Sequence, residues 1–104
     1  MIDLKKLQKE IYQNKIDKNF NVKDVDLEFD LTRGELDEAQ EAHQQKRSDL
    51  REELADVAIY LLGLAEILKV DLEREIVEKV SKNKKRRYKK INREQVDVDK
   101  QNIK

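Results

Sequence analysis

Two carboxylate pairs at a spacing of three, Glu35 with Glu38 and Glu53 with Asp56, are the residues of this chain best suited to chemistry. Side chains at i and i+3 leave a helix on one face, so each pair can converge on a point beside its own helix. Four carboxylates gathered in a partly dry site repel one another, and at least one is driven to protonate unless cations are bound. Oxygen ligands without His or Cys suit hard cations, Mg²⁺ first and Mn²⁺ second. In a chain of 104 residues, 44% of them charged, such pairs also arise by chance, so spacing alone leaves a solvated acidic face and a metal site both open. Glu53 and Asp56 carry the greater weight, because they stand at the start of an apolar helix.

Other chemistries fall away on composition. With 2 Gly and no Pro or Cys, the chain has no glycine-rich phosphate loop, no disulfide framework and no cysteine zinc site. Its single histidine, His43, lies on the polar side of its helix and is read as solvated. Lys plus Arg (23) balances Asp plus Glu (23), but the charge is segregated. From Glu28 to Asp56 ten acids face four bases, a net of −6, whereas Lys79 to Arg93 holds nine bases and no acid. An acidic centre followed by a basic end would hold metal ions in one place and phosphates in another. The basic run can also be read as a nucleic-acid contact, the less favoured reading, or as a solvated helix end favoured by the macrodipole.

Hydrophobic spacing supplies the elements that must position these groups. Leu4, Leu7, Ile11 and Ile16 mark a first helix over 3–17, with Asp3 as its N-cap. KNFNVKD, 18–24, breaks the pattern, with Phe20 and Val22 tucking under the next helix. Leu27, Leu31, Leu36, Ala39 and Ala42 give a second helix from Val25 to Gln45. Ser48 is expected to cap a third by reaching the amide of Arg51, and this helix runs through Leu68. From Leu54 to Leu68 it is apolar nearly all round and must be covered on every side, which three short helices in so small a domain can hardly do. An oligomer with this helix at its interface is therefore expected. A fourth stripe, Leu72, Ile76, Val77 and Val80, runs from 72 to about 89 behind Asp71 as N-cap, and 91–104 reads as a mobile polar tail. The fold class is all-α: one domain over 1–90, with an antiparallel hairpin of helices two and three that brings the carboxylate pairs to similar heights. The N-terminus carries no signal-peptide pattern and no stretch is long enough to span a bilayer, so a cytoplasmic location is expected.

GELDEA (34–39), EELADVAIYLLGLAEILKVDL (52–72) and KVSKNKKRRY (79–88), in that order, resemble the MazG-like all-alpha nucleoside triphosphate pyrophosphohydrolases. The resemblance covers about residues 25–90, and its most specific part is the ELADV-to-LGLAEIL block. It implies that Glu35, Glu38, Glu53 and Asp56 hold Mg²⁺. Lys79, Asn83, Arg86 or Arg87 and Tyr88 would then contact the triphosphate. It also implies a four-helix core completed by oligomerisation, as homodimer or homotetramer. Thr32 is a departure, standing where many members carry a further acid.

The activity implied is cleavage between the α and β phosphates to give a monophosphate and pyrophosphate, with Glu38 or Glu35 taking the proton from the attacking water. In the cell that reaction would clear unwanted nucleotides. A different reading is a non-catalytic helical dimerisation module that binds nucleotide, nucleic acid or a protein partner. Duplex DNA is the less favoured partner, since only Tyr88 interleaves the bases and no helix-turn-helix pattern is present.

Overall fold

Capping chemistry sets where the helices begin. Asp3 accepts from the Lys6 amide at 3.0 Å and opens α1 (Leu4–Asp17), and Asp24 accepts from the Leu27 amide at 3.0 Å and opens α2 (Val25–Gln44). Next come α3 (Leu50–Ile67) and α4 (Leu72–Lys85), then a pair of short strands, β1 (Tyr88–Ile91) and β2 (Glu94–Asp97). The computed structural model describes residues 1–86 and the backbone of these two strands. The all-α class expected from the hydrophobic spacing is what the four helices form.

Ser48 does not cap α3. The cap position falls to Asp49, which makes no capping hydrogen bond, because both its carboxylate oxygens accept from the guanidinium of Arg47.

A chain without Pro and with both glycines inside helices must end its helices by other means. Asn19, Lys46 and Lys69 take left-handed φ values of 58°, 55° and 60° just past the ends of α1, α2 and α3. At each, the amide of the left-handed residue and the next amide reach back into the last turn. Phe20 N–H donates to Lys15, Arg47 N–H to Ala42 and Val70 N–H to Ala65, each at 2.8 Å. This is the Schellman closure, built without glycine.

Met1–Leu72 and Glu73–Lys104 form two compact units. In the first, α3 packs against both α1 and α2. Its core is Ala39 and Ala42 of α2 with Leu62, Leu64 and Ala65 of α3. At Gly63 α1 lies at ordinary packing distance from α3: a Cβ there would stand 3.4 and 3.5 Å from the side chains of Lys15 and Ile11. Buried Gln8 ties α1 to the end of α3, its Nε2 donating to Glu66 Oε1 at 3.0 Å and to the Val70 carbonyl at 2.8 Å.

The face that α2 buries differs from its expected leucine stripe. Leu27, Leu31 and Leu36 are exposed, whereas Glu28, Ala39 and Ala42 are buried. Leu54, Ile59 and Leu61 on α3, and Leu68 at its C-cap, also remain exposed in the single chain.

The second unit begins with α4, which ends at Lys85 and not near 89. Tyr88 to Ile91 then pair antiparallel with Glu94 to Asp97, Tyr88 opposite Asp97 and Ile91 opposite Glu94. The rest of the 91–104 tail expectation lies outside the described residues. Among the described residues no helix is long and apolar enough to cross a membrane.

Candidate metal centre

The α2–α3 hairpin brings three of the four expected carboxylates to one point. Glu35 and Glu38 of α2 and Glu53 of α3 each offer an oxygen, all within 4.8 Å of one another. The fourth, Asp56, is exposed one turn beyond Glu53, and its charge still bears on Glu35 and Glu53.

Burial, followed by the charges of Glu38, Asp56 and Glu53, pushes the Glu35 carboxyl above its ordinary value. Glu53 is likewise pushed up, first by burial and then by Glu38, Asp49 and Asp56, with Arg47 pulling the other way. The cause in both is the same: a carboxylate loses water on the hairpin face while facing like charges.

The two oxygens of Glu53 have different surroundings. Oε1 lies 3.8 Å from Arg47 Nη2, while Oε2 is buried with no hydrogen-bond partner. Mutually repelling carboxylates together with an orphaned buried oxygen are what a hard divalent cation would satisfy, and the donor set is all oxygen. The residues therefore fit Mg²⁺.

A model of the MazG-like family matches residues 26–101. The chain belongs to that family. Neither the curated proteins nor the solved structures yield a match.

The match takes in both carboxylate pairs and the basic stretch. Lys79 and Asn83 lie on α4, and Arg86 follows it, its Nη1 donating to Asn83 Oδ1 at 3.4 Å and its amide to the Asn83 carbonyl at 3.2 Å. All three belong to the second compact unit. Arg87 and the side chain of Tyr88 lie outside the described residues. Thr32, the departure from the family pattern, turns its hydroxyl onto its own helix and donates to the Glu28 carbonyl at 2.7 Å.

Beside the carboxylates lies a group that sequence spacing did not single out. Lys15 of α1 is ion-paired with Glu28 of α2, whose other oxygen accepts from Asn21 Nδ2 at 3.1 Å. Lys15 Nζ also stands over the ring of Tyr60 on α3, 5.6 Å from its centroid. Burial raises the Tyr60 hydroxyl above its usual value, and Glu35, Glu28, Asp56 and Glu38 add to this, so the ring links the pair to the acidic cluster. Phe20, expected to tuck under α2, is instead exposed and borders two hollows against Tyr60. One, of about 290 Å³, is bounded by Ile11, Asn14 and Ile59, and the other, of about 190 Å³, by Asn21, Glu28 and Leu31. A signal for Glu28 was present: Glu28, Thr32, Glu35, Ala39 and Ala42 recur at steps of four and three, the period of one helix face.

Proposed function

We propose that this MazG-like chain is a Mg²⁺-dependent nucleoside triphosphate pyrophosphohydrolase, hydrolysing the α–β phosphoanhydride to a monophosphate and pyrophosphate. The observation that carries this reading is the convergence of Glu35, Glu38 and Glu53 within 4.8 Å, with Glu53 Oε2 buried and unpartnered.

Glu35, Glu38, Glu53 and Asp56 would hold the metal. Bound there, Mg²⁺ supplies charge neutralisation for the phosphate oxygens and acidifies water. The water oxygen bonds to the α-phosphorus as the bond to the bridging oxygen of pyrophosphate breaks, and Glu38 or Glu35 accepts the water's proton. Phe20 and Tyr60, which border the neighbouring hollow, would contact the nucleoside. The family resemblance makes Lys79, Asn83, Arg86, Arg87 and Tyr88 the candidates for phosphate contacts.

A homo-oligomer, dimer or tetramer, goes with this reading. What supports it is the exposure of Leu54, Ile59 and Leu61 along the largely apolar α3 and of Leu68 at its C-cap, which a second copy would cover.

The test is release of pyrophosphate against orthophosphate over a panel of normal and modified nucleoside triphosphates, with and without chelator. Pyrophosphate and monophosphate, lost on chelation, are expected. Absence of turnover with every member would favour a nucleotide-binding module, a reading to which Thr32 points by standing where many members of the family carry an acid.

A further inference from the structure

Arg47 hangs from a fixed point in the turn between α2 and α3. Its amide donates to the Ala42 carbonyl at 2.8 Å as part of the Schellman closure. Its guanidinium forks onto Asp49, Nε to Oδ1 at 3.0 Å and Nη2 to Oδ2 at 2.6 Å. The same Nη2 reaches Glu53 Oε1 at 3.8 Å. Asp49 occupies the cap position of α3 and yet gives its carboxylate to Arg47 instead of the helix. The planar fork fixes the guanidinium as a lysine ammonium would not. Backbone, Asp49, Arg47 and Glu53 thus form a relay that ends on one oxygen of a candidate metal ligand.

We propose that Arg47 is a positioning residue of the metal centre: by engaging Oε1 it holds the Glu53 carboxylate in place and leaves the orphaned Oε2 for the ion. The inference rests on the metal reading above. Carboxylate ligands are commonly oriented by such outer partners, whose loss lowers metal affinity about tenfold or more.

Charge and positioning predict opposite signs, which makes the proposal decidable. As a mere charge, Arg47 repels a divalent ion, so Arg47→Ala would tighten metal binding and Arg47→Lys would leave it unchanged. As a positioning residue, Arg47→Ala weakens binding about tenfold, and Arg47→Lys, which keeps the charge and loses the fork, falls between. The experiment is titration of the full chain with Mn²⁺ alone, free ion read by electron paramagnetic resonance, on wild type and both variants, with circular dichroism as the check of fold. Unchanged or tighter binding by Arg47→Ala, or wild-type binding by Arg47→Lys where the alanine variant does not fold, overturns the proposal. A wild type that binds no Mn²⁺ overturns the metal reading itself, and the role of Arg47 with it.

Discussion

Lys15 on α1 and Glu28 on α2 form an ion pair sealed within the helical unit, with side-chain exposures of only 12% and 2%. Its acid is held on the other side by Asn21, and its ammonium lies over the ring of Tyr60. One contact thereby joins all three helices of the unit beside the candidate metal centre. A buried pair of this kind contributes little net stability over an apolar pair of equal size, but stranding one partner is costly.

Removing one partner of that pair is therefore expected to be severe. Glu28→Ala should cost about 3 kcal/mol or more in urea unfolding, because it leaves the Lys15 ammonium buried without its carboxylate. Lys15→Met combined with Glu28→Leu should recover most of the loss. A double variant as unstable as Glu28→Ala would mean that the pair is not the source of the effect.

The acidic cluster makes stability depend on pH in a direction set by its raised carboxyls. Glu35 and Glu53 both lie above the ordinary glutamate value of 4.5 in the folded chain, so between that value and their raised ones the folded state binds protons that the unfolded state has released. Metal-free stability should accordingly rise as the pH falls from neutral towards 4.5. Asp49 acts oppositely at lower pH: its hydrogen bond to Arg47 depresses its carboxyl below the ordinary 3.8, and its contribution is lost as the pH falls through that depressed value. Saturating Mg²⁺ should invert the upper part of the curve, since protons then compete with the ion and its stabilisation is greatest at neutral pH. Melting temperatures against pH in chelator and in Mg²⁺ measure both. Superimposable curves would count against a metal at this cluster.

Function and stability are expected to pull apart at the carboxylates. Glu53→Gln removes one of the mutually repelling charges, so it should raise the melting temperature of the metal-free chain while abolishing its rise with Mg²⁺ and any pyrophosphate release. Asp56→Asn should likewise stop turnover with helicity unchanged. Full Mg²⁺-dependent activity in both variants would remove the carboxylates from the mechanism.

What the sequence made legible was local. Asp3 as a cap, the span of α1, the limits of α2 to within a residue and the shared face of Glu35 and Glu38 all follow from interactions within one or two turns. What stayed hidden depends on partners distant in the chain. Glu28 reads as one more surface acid until Lys15, thirteen residues earlier, is brought against it, and the buried face of α2 is turned accordingly away from Leu27, Leu31 and Leu36. Asp49 displaces Ser48 at the start of α3 because α3 begins at Leu50, and Arg47 then claims its carboxylate. The strand pair after α4 has two four-residue members, too short to impose a period on the sequence.

The helix ends offer a stabilising change far from the carboxylates. Lys69 holds φ 60° just after α3, with its amide donating to Glu66 at 3.0 Å. An L-residue with a Cβ pays about 1 kcal/mol in that left-handed region, and glycine does not. Glycine adds freedom to the unfolded chain, which offsets part of the gain. Lys69→Gly should therefore stabilise the unit by about 0.5 kcal/mol, measured by urea unfolding, with Mg²⁺ affinity unchanged. Lys69→Val should do the reverse, since a β-branched side chain is least tolerated at positive φ. A glycine variant less stable than wild type would show that the lysine side chain contributes contacts outweighing the backbone strain.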